Sequence, residues 1–131
     1  MIKRESLFTT KFNKWLRHNW RTTGPIEVKV SETGRINVHQ FPDHQKAALL
    51  SATDPSKSVI WKIPDAGWSN LFDIVVYSGC QSFVCLVFNV KTSKKFYIID
   101  AKIFFDFFQG KVVSILETEA EELALQVGEV R

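Results

Sequence analysis

A chain of 131 residues, 45% hydrophobic and 24% charged, is the size of one domain and can bury a core without help from disulfides or metal. That balance excludes wholesale disorder, and no window approaches the ~20 apolar residues of a membrane span. The formal charge of +3 is modest but unevenly placed. Residues 1–35 carry eight Lys and Arg against Glu5, Glu27 and Glu32, whereas the segment from Ser114 carries five Glu against Arg131. A basic first third suits either a polyanionic partner such as nucleic acid or a solvated helix face.

In chain order, residues 4–20 predict an amphipathic helix. Phe8, Phe12, Trp15 and Leu16 follow the helical period, and Lys11, Lys14, Arg17 and Arg21 cover the rest. Glu5 falls on the inward side of its first turn, where a carboxylate also suits the helix dipole. Thr22-Thr23-Gly24-Pro25 stops the helix. Residues 26–31 predict a strand, 32–35 a turn and 36–38 a short extended piece. Pro42 opens a second helix reaching about Ala52, with Ala48, Leu49 and Ala52 as its buried stripe and Gln45 on the same face. Residues 58–63 predict a strand and "PDAGWSN" a loop. "FDIVVY" and "FVCLVF", joined by "SGCQS" with Gly79 at the turn, predict a hairpin. "KTSKK" is a basic turn, and "FYIID" a strand buried on both faces. "AKIFFDFF" is a short helix or helical turn, and residues 116–127 an acidic helix. The order predicts one α/β (α+β) domain, its core at about 4–108, with helices on a mixed sheet.

Cys80 and Cys85 show no metal-ligand spacing with the histidines and read as small thiols of a reducing, intracellular compartment. The candidate chemistry lies in "IEVKV". Residues two apart on a strand point the same way, so Glu27 and Lys29 share one face and Ile26, Val28 and Val30 the other. Such a pair is either a water-facing strand surface or an active site: a carboxylate can hold Mg²⁺, and an ammonium can position an attacking water and offset phosphate charge.

The run E-x-K, "SETGRINVHQFPDHQ" and an Ala/Leu helix resembles the Holliday-junction-resolvase branch of the PD-(D/E)xK nucleases. In that branch a polar connection and a helix opening with His-Gln follow the E-x-K strand. The matching residues are Glu27, Lys29, His44 and Gln45, and the helix bearing Glu5 matches the family's first helix. The resemblance covers residues 5–52 and, more loosely, the chain to about Phe105. It implies a restriction-endonuclease-like mixed sheet flanked by helices, Mg²⁺ (or Mn²⁺) and a homodimer acting on branched or duplex DNA. The family's Asp strand between the first helix and E-x-K is missing, because only "RTTGP" stands there. Asp73, at the start of the predicted hairpin, is the substitute, in a rearranged site. Its other reading is a cap on the preceding loop, just as Asp65 in "IPDAG" reads as a turn.

The resemblance thus implies phosphodiester hydrolysis in DNA. Asp73 and Glu27 would hold the metal, Glu5 a second one, Lys29 would position the water, and Gln45 would support either or else bond backbone. Lys11, Lys14, Arg17, Arg21, Arg35, Lys94 and Lys95, with Lys91, would contact phosphates, and Trp20 and Trp68 are either base-stacking or core residues. The alternative is a non-catalytic nucleic-acid- or protein-binding module on a nuclease-like fold.

Overall fold

The computed structural model describes residues 8–12, 14–16, 24–64, 72–110 and 112–130, and the side chains from residue 62 to 75 lie outside that description. Residues 8–12 and 14–16 are helical (α1). They are followed by β1 (Ile26–Val30), β2 (Arg35–Asn37), a 3-10 turn (Val38–Gln40), α2 (Asp43–Ser51), β3 (Val59–Pro64) and β4 (Phe72–Tyr77). Then come β5 (Phe83–Val87), β6 (Lys95–Asp100), α3 (Ala101–Phe107), β7 (Ser114–Leu116), α4 (Glu117–Leu123) and β8 (Gln126–Glu129). The mixed α+β class expected from the element order is what the chain forms. No described helix is long and apolar enough to cross a membrane.

The centre is a four-stranded mixed sheet in the order β1-β5-β6-β8, with β1 parallel to β5 and the other pairs antiparallel. Every residue of β5 is buried, as are Phe96 to Ile99 of β6. Continuous apolar runs of this kind belong in strands covered on both faces. On one face, Phe8 and Phe12 of α1 pack with Val28, Val30, Cys85, Val87, Phe96 and Ile98. On the other, Val84, Leu86, Tyr97 and Ile99 meet Leu49 of α2, Phe104 and Phe105 of α3, Ala120 of α4, and Ile36 and Ile115 of the β2–β7 ribbon. Asp100 caps α3 by accepting from the Ile103 N–H at 3.1 Å.

Two expectations fail. The strands at 72–77 and 83–87 do not form a hairpin: β4 pairs with β3, from Val59↔Tyr77 to Pro64↔Phe72, while β5 takes β1 and β6. The "SGCQS" segment instead carries the chain from one sheet to another. Gly79 adopts φ +63 against Pro55, and the Cys80 N–H donates to the Ala52 carbonyl at 2.9 Å. β5 is buried throughout, whereas Val76 of β4 is 61% exposed, so burial separates two strands that local sequence would join. The acidic helix also stops at Leu123 rather than near 127. From Leu125 the chain turns into β8, the Leu125 N–H donating to the Ile98 carbonyl at 2.8 Å. The open edge of β6 offers Val127 and Gly128 backbone partners that another helical turn would not.

Gly24 sets the entry to β1. A Cβ there would collide with the backbone carbonyl of Gln81, where the chain enters β5. Gly24→Ala should therefore cost ~1–3 kcal/mol, the range for forcing atoms into a packed region. This would read as a lower urea midpoint at unchanged slope, and a wild-type midpoint would show another path into β1. Tyr97 supplies a pH test. Burial, and donation of its hydroxyl to Glu117 Oε2 at 2.8 Å, push its phenol above the ordinary value. A raised folded value means this stabilisation is complete below about pH 10 and is lost as pH rises past it. Tyr97→Phe should lower stability by ~1 kcal/mol at pH 7 and flatten the alkaline loss. An alkaline limb equally steep in the variant would assign it to other groups.

Candidate active site

Alternation along β1 sends Val28 and Val30 toward α1, and Glu27 and Lys29 toward the layer formed by α2, α3 and α4. Glu27 is in register with Val84 and Lys29 with Leu86, both on that second face. The face is not a water-facing surface: Lys29 is only 8% exposed. Its Nζ stands 3.4 Å from Glu27 Oε1 and 5.5 Å from the centre of the Phe41 ring. The separation marks an ion pair looser than a short charge-assisted hydrogen bond. The ring face adds the attraction of its quadrupole.

The segment after β1 holds this arrangement. Gln40 Nε2 donates to the Val30 carbonyl at 3.2 Å, and Gln40 Oε1 accepts from the Asn37 N–H at 3.3 Å. The 3-10 turn is thereby pinned to the end of β1, with Asn37 Oδ1 accepting from the His39 N–H at 2.8 Å. Phe41 follows and packs its ring on Phe104 and Phe105, with centroids 5.1 and 5.5 Å away. Pro42 then starts α2. The buried Ser82 hydroxyl donates to the Leu49 carbonyl at 2.6 Å, tying the far half of α2 to the start of β5. Gln45, four residues before buried Leu49, lies on the same helical stripe. Its Oε1 is buried and has no hydrogen-bond partner among the described residues. His44 is exposed.

The structure thus brings Glu27 and Lys29 into contact and puts Gln45 on the helix covering their face. Strand pairing does not join Asp73 to them: its backbone is in register with Ile63, in a sheet separate from β1, and its side chain lies outside the described residues. Glu5, Arg17, Arg21, Asp65, Trp20 and Trp68 also lie outside them. Lys11 and Lys14 are exposed on α1, which packs on the opposite face of the sheet from Glu27 and Lys29. Arg35 and Lys94 are exposed, and Lys95 is half-buried with its Nζ 5.5 Å from the Tyr97 ring centre. Cys80 and Cys85 are both free thiols, and burial holds the Cys85 thiol well above its ordinary value.

Gln40 and Phe41 escaped the sequence reading. A Gln followed by Phe-Pro ahead of a helix carries no local signal for gripping a strand edge or lying under a lysine. Among the described residues, no group of three or more His, Cys, Asp or Glu is placed to hold a metal. The donors on this face are the Glu27 carboxylate and the orphaned Gln45 Oε1. Both are hard oxygens, and Mg²⁺ commonly takes one or two carboxylates and completes its shell with water and substrate phosphate. The donor chemistry therefore fits Mg²⁺. No protein-family model, curated protein or solved structure matches the chain.

The ion pair makes a stability test. Glu27→Ala would leave a buried ammonium without its carboxylate. The cost should be ~3 kcal/mol, the low end for breaking a buried pair, because Glu27 keeps 20% of its side chain in water. Replacing both charges, in Glu27→Gln/Lys29→Met, should recover most of that loss in urea titrations. A double variant as unstable as Glu27→Ala would mean that the pair is not coupled.

Proposed function

We propose that this chain is a Mg²⁺-dependent phosphodiesterase that cuts DNA, branched or duplex, of the Holliday-junction-resolvase-like PD-(D/E)xK kind. The observation that carries the reading is a lysine held out of water against a carboxylate, on a sheet face covered by a helix whose Gln45 oxygen is buried and unpartnered. An ordinary core face has no use for three such groups, and each costs stability there. A phosphodiesterase uses all three.

Glu27, Gln45 and, by resemblance, Asp73 and Glu5 are the residues that would hold the metal, which when bound polarises the phosphate and lowers the pKa of a coordinated water. Lys29, kept in place by Glu27 and Phe41, orients the attacking water and offsets negative charge developing on the phosphoryl oxygens. Gln45 Oε1 would accept a hydrogen bond from that water or help to hold the cation. Phe41 lies beside the ammonium, and the burial of Lys29 keeps bulk water from it, which strengthens its interaction with phosphate. Two symmetric cuts across a junction require two such sites, which a homodimer supplies. The free thiols suit a reducing, intracellular setting.

The second reading, a non-catalytic module that binds nucleic acid, draws on the single carboxylate among the described donors. One experiment separates the two. Purified protein is incubated with a labelled four-way junction, or a duplex of the same sequence, in Mg²⁺ or EDTA. Cutting that needs Mg²⁺ is expected, and Lys29→Met should reduce its rate by ~10²–10³, the usual loss for one transition-state donor, at unchanged binding. Glu27→Gln should raise the Mg²⁺ concentration needed. Thermal melts of both variants separate lost chemistry from lost fold. Full cutting by folded Lys29→Met overturns the mechanism, and binding without cutting by wild type selects the non-catalytic module.

A further inference from the structure

Resting on the reading of the chain as a DNA-acting protein, we propose that the loops at residues 31–35 and 89–94 form one preorganised platform. It grips the DNA sugar-phosphate backbone without reading sequence. The two loops are far apart in the chain and are joined by backbone hydrogen bonds. The Ser31 N–H donates to the Val87 carbonyl at 2.8 Å, and the Asn89 and Val90 N–H groups donate to the Thr33 and Ser31 carbonyls, both at 2.9 Å. Each loop is also braced internally. Thr33 Oγ1 donates to the Arg35 carbonyl at 3.1 Å, and the Thr33 N–H donates to Ser31 Oγ at 3.0 Å. The Asn89 carbonyl accepts from the Thr92 and Ser93 N–H groups, with Asn89 itself at φ 52, a left-handed conformation that Asn adopts more readily than most residues.

This frame presents Arg35, Lys91 and Lys94, all exposed. The acid it carries, Glu32, lies 3.5 Å from Lys91 Nζ in an exposed pair that phosphate can displace. Lys95 is less available, since it is half-buried and paired in register with Glu129. The platform starts at Ser31, two residues beyond Lys29. Ammonium groups hold phosphate as point charges and carry no base information.

Fluorescence anisotropy with two fluorescein-labelled duplexes of unrelated sequence, in EDTA so that nothing is cut, tests the proposal. Arg35→Ala/Lys91→Ala/Lys94→Ala should weaken binding of both duplexes equally and reduce the slope of log K against log salt by ~2–3. The exposed substitutions should leave the thermal melt unchanged. A triple variant that binds as wild type, or a loss confined to one duplex, overturns the platform. If wild type cuts nothing in Mg²⁺ yet the triple variant loses binding, the nuclease reading fails and the platform stands. The reverse pattern, cutting and binding indifferent to the three substitutions, sinks the platform alone.

Discussion

An ammonium group leaves water at a cost of several kcal/mol unless a counter-charge and a suitable surface replace its hydration. Lys29 has been taken out of water, and the structure around it follows from how that was met. Glu27, two residues earlier on the same strand, provides the carboxylate, because a strand returns every second side chain to one face. Phe41 supplies a ring face, and its position requires the 3-10 turn that Gln40 fastens to the Val30 carbonyl. That turn sets where α2 begins, and Ser82 fixes where α2 lies on the sheet. Remove the charge from β1 and the turn, the ring and the helix start lose their common reason for being where they are.

The sheet is correspondingly asymmetric. One face is closed by α1 through stacked and edge-on aromatic contacts: Phe12 and Trp15 meet Phe96 at 5.0 and 4.7 Å. That face contains no buried charge among the described residues, and it is where the basic side of α1 rides outward. The other face carries the polar groups: Lys29, Glu27, the Gln45 oxygen and the Tyr97–Glu117 hydrogen bond. Segregation of this kind lets one side supply packing stability while the other tolerates costly polar groups.

Features governed by local periodicity were legible in the sequence. The shared face of Glu27 and Lys29, the inward set Phe8, Phe12, Trp15 and Leu16, the Leu49–Ala52 stripe of α2 and the two-sided burial of Phe96 to Ile99 each follow from a repeat of 3.6 or 2. Strand partners were not legible in this way. Phe72–Tyr77 and Phe83–Val87 flank a glycine turn and read locally as a hairpin. Yet β5 must take the middle of the sheet, because every one of its side chains is apolar, and β4 is left to β3. Nor does "LALQVGEV" announce its change from helix to strand, since nothing before Gly128 stops a helix and the decisive partner, β6, is about thirty residues upstream. Long-range pairing also governs the candidate site. The Glu27–Lys29 half could be read from five residues, whereas the relation of Asp73 to it depends on which sheet each strand joins.

A buried amide oxygen without a partner costs ~1–3 kcal/mol, and among the described residues Gln45 has such an oxygen, on the helix stripe that carries buried Leu49. Replacement of a buried ion pair by well-packed apolar residues is often neutral or stabilising, so Glu27 and Lys29 are also a poor choice for stability alone. The remaining core makes that choice at none of its other described strand positions: β5 is apolar from Phe83 to Val87, and the middle of β6 from Phe96 to Ile99 is aromatic or aliphatic. Three such groups lie on one strand and the helix above it, in a fold whose other described strands follow the rules of burial. The unpartnered oxygen sharpens the point. An ion pair satisfies itself within the protein, whereas the Gln45 acceptor finds no donor among the described residues.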